Sequence, residues 1–302
     1  MLNKNKCQGV IVPMVTPFTQ EGNVDAKAVC AIAEHLIAGG MDGIFVLGTT
    51  GEAASISSEQ KTKLVEVTVG HVKERAVVYA GISSNSLDES ISAARVYVDL
   101  GADILVAHPP YFYPLSDEEI YSYFMKLADD AAGPLMIYNI PMTTGISISI
   151  EVAERLGCHE RIVGLKDSER TEGRLEEAIE RLCGRDDFSY VVGCAVLSAK
   201  AVGLGAAGIV PSSGNLEPGL YRSLFDNAQN GNESVANEFQ EITNRVSKLY
   251  QENRSLSQSL AVLKAAMHIR GLCGPTVLPP LEALGQEDIA ELKLQMAMII
   301  ES

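Results

Sequence analysis

The sequence predicts an α/β chain folded as a (β/α)8 TIM barrel with a C-terminal helical extension, on three observations. Short apolar runs of strand length alternate with longer stretches of helical period through the first two thirds of the chain. Most of these runs start about 25 to 35 residues after the previous one, which leaves room for one helix and two loops per unit, as eight closed units require. The G-x-G-x-x-G turn that usually marks an open, doubly wound sheet is absent.

The candidate strands are Gly9 to Val15, Gly43 to Leu47, Val77 to Gly81, Ile104 to Ala107, Leu135 to Asn139, Ile162 to Lys166, Tyr190 to Val192 and Gly208 to Val210. Between them lie amphipathic helical segments with recognisable ends. The run Ser57-Ser58-Glu59-Gln60 offers an N-cap serine before Lys61 to Val69, and Ser116-Asp117-Glu118-Glu119 puts acids in the first turn before Ile120 to Ala128. Gly39-Gly40 and Gly101 stand where C-terminal glycines close helices. Strand signals stop after about Glu217. Helical stretches then run from Pro218 to Ile269 and from Leu281 to Ile300, with Leu256, Leu260, Leu263 and Met267 in step. Residues 1–217 are therefore assigned to the barrel core and 218–302 to a helical extension packed on it.

The 302 residues are 46% hydrophobic and 21% charged, enough to bury a large core. A formal net charge of -15 repels phosphate backbones and anionic headgroups, so neither nucleic acid nor a membrane is expected as a partner. The opening MLNKNKCQGVIVPMVTPF is too short in apolar residues for a signal h-region, and no run has the length of a spanning helix; a cytoplasmic protein is expected. Six scattered cysteines form no C-x-x-C pair and are read as free thiols. The five histidines lack metal-ligand spacing, so no metal is assigned; His108, just after the fourth strand, is the one expected near the barrel mouth. Paired acids such as Glu118-Glu119 and Glu176-Glu177 read as solvated helix faces.

In a (β/α)8 barrel, reactive groups stand at the carboxyl ends of the strands. Three candidates fall there: Gly48-Thr49-Thr50-Gly51-Glu52 after strand two, Tyr138-Asn139-Ile140-Pro141 after strand five, and Lys166-Asp167-Ser168 after strand six. Alternation puts Lys166 either inside the barrel or outside, where it would snorkel to water. Inside, desolvation would favour a neutral amine able to attack a ketone, and the resulting protonated imine is an electron sink that stabilises an adjacent enamine. The backbone N–H groups and hydroxyls of Gly48, Thr49 and Thr50 suit a small carboxylate. Tyr138 could move a proton if a hydroxyl such as that of Thr49 relays it. Singly, each has a plainer reading as a solvated lysine, a bare turn or a packing tyrosine.

Together, their order and spacing resemble the dihydrodipicolinate synthase and N-acetylneuraminate lyase family of class I aldolases. The resemblance runs from Val12-Pro13-Met14-Val15-Thr16-Pro17-Phe18 through Gly48 to Glu52, Pro110-Tyr111-Phe112, and Tyr138-Asn139-Ile140-Pro141 with Thr144-Gly145, to Gly164-Leu165-Lys166-Asp167. It implies that Lys166 forms the imine with pyruvate, that Tyr138 shuttles protons, and that Thr49 and Thr50 hold the keto-acid carboxylate. It further implies that Gly193 and Val210 line the pocket, that no cofactor is needed, and that the chain assembles as a homotetramer, a dimer of dimers.

Two positions depart from the synthase branch. Phe112, flanked by Tyr111 and Tyr113, stands where that branch has a relay tyrosine, and Thr143 stands where it has an arginine for the second substrate's carboxylate. Threonine cannot make that bidentate charged contact. The stretch Gly193-Cys194-Ala195-Val196-Leu197 lacks the acids with which the neuraminate lyase branch holds a sugar tail. The reading placed first is thus aldol cleavage of a 2-keto-3-deoxy sugar acid, or a related 4-hydroxy-2-keto acid, to pyruvate and an aldehyde. Its alternatives are condensation of pyruvate with aspartate semialdehyde, a keto-deoxy acid dehydratase, and a catalytically silent keto-acid-binding homologue.

Overall fold

A computed structural model describes residues 7–300. Residues 1–6, where the segment read for a signal h-region begins, and 301–302, at the end of the assigned extension, lie outside the described residues. The strands are β1 (Gly9–Pro13), β2 (Gly43–Val46), β3 (Val77–Gly81), β4 (Ile104–Ala107), β5 (Leu135–Asn139), β6 (Ile162–Asp167), β7 (Ser189–Val192) and β8 (Gly208–Ile209). All pair in parallel and in sequence order, and β8 returns to β1 through Gly9↔Gly208 and Val10↔Ile209, closing the barrel. β1 stops two residues before the expected Val15, whose N–H donates to the side chain of Asn215 at 3.1 Å instead of to a neighbouring strand.

The helices of the barrel region are α1 (Ala26–Ala38), α2 (Ser58–Val72), α3 (Leu87–Asp99), α4 (Asp117–Asp130), α5 (Pro141–Thr144), α6 (Ile150–Leu156), α7 (Arg174–Leu182) and α8 (Ser198–Leu204). Their starts follow from side chains that satisfy the orphan N–H groups of a first turn. Ser57 accepts from Gln60 N ahead of α2, and Ser116 and Glu119 form a reciprocal capping box ahead of α4. Gly39 closes α1. Beyond β8, the chain continues as α9 (Pro218–Gln229), α10 (Glu233–Gln251), α11 (Leu256–Ile269) and α12 (Gln286–Ile300), each packed on its predecessor, with α9 also against α8 and β1.

Strand alternation divides the buried side chains into two cores. One fills the barrel with Ile11, Phe45, Tyr79, Ile104, Val106, Met136, Tyr138, Val191 and Val210. The other lies between strands and helices and takes the intervening residues, among them Val10, Val12, Ile44, Val46, Leu105, Ile137 and Leu165. Between β5 and β6 the register shifts from Leu135↔Ile162 to Met136↔Gly164, so Val163 is skipped, and the pairing then continues to Tyr138↔Lys166. No described helix is long and apolar enough to cross a membrane.

Candidate active site

Lys166 settles the choice that alternation left open: it points into the barrel and is 4% exposed. Its register partner on β5 is Tyr138, and its Nζ lies 3.7 Å from the Tyr138 ring centroid and 4.7 Å from that of Phe45. Burial holds the Lys166 pKa below its ordinary value, opposed by the Tyr138 hydroxyl. The ammonium has lost water and gained chiefly two ring faces, whose attraction is worth about 2 kcal/mol when desolvated, while removing an ion from water costs several. The amine is therefore primed to shed its proton.

Gly193, at the end of β7, keeps room for this side chain. A Cβ there would overlap Ser168 Oγ and stand 3.3 Å from Lys166 Cε. Gly48 does the same for Phe45, since a Cβ would lie 2.7 Å from the ring that flanks the amine. Val210 belongs to the barrel interior with Tyr138. Phe45 was missed in the sequence, although its inward position on β2 is the signal that places it.

The turn after β2 is bracketed by two non-glycine residues in the left-handed region, Leu47 at φ 59° and Glu52 at φ 58°. Such conformations cost on the order of 1–3 kcal/mol each and persist only where surroundings impose them. Here Thr16 Oγ1 donates to Gly51 O at 2.6 Å, and the N–H groups of Gly51 and Glu52 fold back on Gly48 O and Thr49 O, each at 3.1 Å. Thr50 is buried and Thr49 half-buried, and neither hydroxyl has a protein hydrogen-bond partner among the described residues. The turn is held from below by Glu52, whose buried carboxylate pairs with the buried Lys264 of α11 and accepts from Leu278 N at 3.1 Å.

Asn139 and Asp167, the residues after Tyr138 and Lys166, point out of the barrel and lock its rim. Asn139 Nδ2 donates to Asp167 Oδ1 at 2.9 Å and to Glu169 Oε2 at 2.8 Å, while its Oδ1 accepts from Ile148 N. Arg174 closes the network by donating to Asp167 Oδ2 at 2.7 Å. This network was not foreseen in the sequence; it fixes β5 and β6 to each other one residue beyond the amine and the phenol.

The remaining expected residues lie at the mouth. Tyr111 and Phe112 are exposed, with Phe112 at 73% and edge-on to Tyr113. Thr143 is also exposed, its hydroxyl donating to Ile140 O at 3.3 Å. Among the described residues no ring pair or hydrogen bond links Phe112 or Thr143 to Lys166 or Tyr138, whereas Tyr111 reaches the pair through His108, whose ring centroid is 6.0 Å from that of Tyr111 and 6.5 Å from that of Tyr138.

Residues 6–298 match the dihydrodipicolinate synthetase family. The chain belongs to that family. A 4-hydroxy-tetrahydrodipicolinate synthase 2 of Streptomyces coelicolor is 32% identical over 290 residues, covering 95% of this chain and 94% of its own. Among solved structures, a dihydrodipicolinate synthase from Bacteroides thetaiotaomicron superposes with a TM-score of 0.92 at 30% identity, covering 96% of this chain and 98% of its own. YagE, a prophage protein of the same family from E. coli K12 solved in complex with pyruvate, gives a TM-score of 0.91 at 26% identity, covering 97% of this chain and 99% of its own. As a member of the dihydrodipicolinate synthetase family the chain is a class I aldolase, a lyase. The names of these relatives favour the synthase, second in the sequence reading, over cleavage of a keto-deoxy sugar acid, which stood first.

Proposed function

We propose that this class I aldolase joins pyruvate to an aldehyde, or parts them, through an imine on Lys166. The observation that carries the reading is a lysine buried in the barrel, its pKa lowered by that burial, with a phenol as its register partner. The neutral amine attacks C2 of the keto acid, and the carbinolamine loses water to give the protonated imine. Loss of a C3 proton then gives an enamine, whose C3 attacks the aldehyde carbon. Tyr138 carries protons at the carbinolamine and at C3, and the hydroxyls and N–H groups of Gly48, Thr49 and Thr50 receive the carboxylate. Gly193 and Val210 bound the pocket. The imine itself is the electron sink, so the sequence calls for no cofactor.

For the aldehyde, aspartate semialdehyde is supported by the names of the relatives. A second reading, a 2-keto-3-deoxy sugar acid cleaved to pyruvate and an uncharged aldehyde, is favoured by Thr143 and Phe112, which leave the mouth without the arginine and relay hydroxyl of the synthase branch. A homotetramer belongs to the same proposal. The aromatic residues Phe112 and Tyr113, exposed at 73% and 70% beside the mouth, support burial against another copy, and sedimentation velocity should find more than a monomer.

The function is tested by incubating the protein with pyruvate and borohydride and weighing it intact. A single pyruvyl adduct is expected, forming faster as pH rises through the depressed Lys166 pKa, because the neutral amine is the nucleophile and a lowered pKa brings it forward to lower pH. The same preparation is then assayed with pyruvate plus aspartate semialdehyde and with 2-keto-3-deoxygluconate. Turnover of only one chooses between the aldehydes; an absent adduct rejects the imine.

A further inference from the structure

His108 has no part in the reading above, yet its position is as well defined as that of Tyr138. On β4, Ile104 and Val106 point into the barrel while Leu105 and Ala107 point out, so the alternation turns the next residue, His108, inward. The β4–β5 register of Val106↔Met136 and Ala107↔Ile137 sets His108 opposite Tyr138, and β5–β6 sets Tyr138 opposite Lys166. Three consecutive strands thus present imidazole, phenol and amine side by side.

The tautomer follows from one contact. His108 Nδ1 lies 2.8 Å from Pro109 O, which can only accept, so Nδ1 carries the proton. In the neutral ring the lone pair is then on Nε2, which has no hydrogen-bond partner among the described residues. Burial, reinforced by the charge of Lys166 and opposed by the Pro109 carbonyl, lowers the His108 pKa and so favours the neutral ring. The backbone is fixed as well, with His108 N donating to Ser83 Oγ at 2.9 Å.

We propose that His108 is a catalytic residue for the carbon–carbon step, its Nε2 exchanging a proton with the C4 oxygen of the aldol adduct. The proposal rests on the imine reading. In cleavage, Nε2 takes the C4 hydroxyl proton, the O–H electron pair becomes the second bond of the aldehyde carbonyl, and the C3–C4 pair passes into the iminium to give the enamine. In addition, Nε2 first takes up a proton from solvent, and the imidazolium gives that proton to the oxygen that develops as C3 attacks the aldehyde, while the C3 proton leaves through Tyr138. Tyr138 is left to serve the carbinolamine and C3, so each proton has its own carrier.

The test compares wild type with His108→Phe, which keeps a ring, and His108→Gln, which keeps polarity. Three quantities are read: the borohydride-trapped pyruvyl adduct, exchange of pyruvate methyl protons for deuterium, and turnover of whichever of aspartate semialdehyde or 2-keto-3-deoxygluconate the wild type uses. Trapping and exchange are expected within about twofold of wild type in both variants, with turnover reduced by about 10²-fold or more, the low end of what general acid–base groups contribute. Turnover within about fivefold of wild type overturns the proposal. So does a parallel fall in trapping, exchange and turnover, which would make His108 only a support for Tyr138. A wild type that forms no adduct overturns the imine reading itself, a failure visible before any variant is made.

Discussion

Lys166→Met should abolish turnover and raise the melting temperature. On the proposed mechanism no amine means no imine, and the loss is expected to be on the order of 10⁴-fold or more, as for residues that form a covalent intermediate. The stability effect follows from linkage. Burial lowers the folded-state pKa of Lys166 below its unfolded value, so between those two values the unfolded chain binds more protons and stability rises with pH. Below both, wild type carries the full cost of a buried ammonium, about 1.4 kcal/mol for each unit of depression. Methionine fills a similar volume without charge, so at neutral pH the variant is expected to melt above wild type. Calorimetry at pH 7 and again near pH 10 checks this, because the gain must shrink as the pH rises. A variant that melts below wild type at pH 7 would show that Lys166 is not held at a cost.

Lys264→Met is expected to do the reverse. Lys264 and Glu52 are buried together, and removing one partner leaves the other charged and unpaired, a loss of about 3–5 kcal/mol. The melting temperature should fall by roughly 6–10 °C. Because Glu52 ends the turn that carries Thr49 and Thr50, the pyruvate concentration for half-maximal trapping should rise as well. Combining Lys264→Met with Glu52→Gln should return part of the stability. A fall below about 2 °C in the single variant, or no recovery in the double, would mean that the pair does not hold the turn.

The barrel was legible because its strands are local patterns: Val77–Gly81, Ile104–Ala107 and Leu135–Asn139 emerge with the ends that the apolar runs suggest. The candidate site was legible as far as each part sits at a strand end: Lys166 and Tyr138 stand side by side in register, and Gly48 abuts Phe45, the ring beside the amine. Whether Lys166 faced inward was not, since alternation alone has no absolute phase; that phase is set by the skipped Val163 and by pairing with β5. Contacts between distant segments were hidden altogether. Glu52 and Lys264 are 212 residues apart, and nothing in the GTTGE run announces a lysine on a late helix. Asn139 was seen as part of a motif, but its service to Asp167, Glu169 and Ile148 needs three-dimensional proximity.

The clasp between Glu52 and the late helix α11 also orders events during synthesis. Domains begin to fold as the chain leaves the ribosome, amino end first. The amine at 166 and the turn at 48–50 therefore emerge long before the lysine and the Leu278 N–H that hold Glu52 in place. Until translation has passed these last tethers, the turn proposed to receive the carboxylate lacks the contacts that hold Glu52. On the proposed mechanism, a chain that ends before Lys264 should trap keto acids less well than the full-length chain, because its turn at 48–50 lacks the clasp.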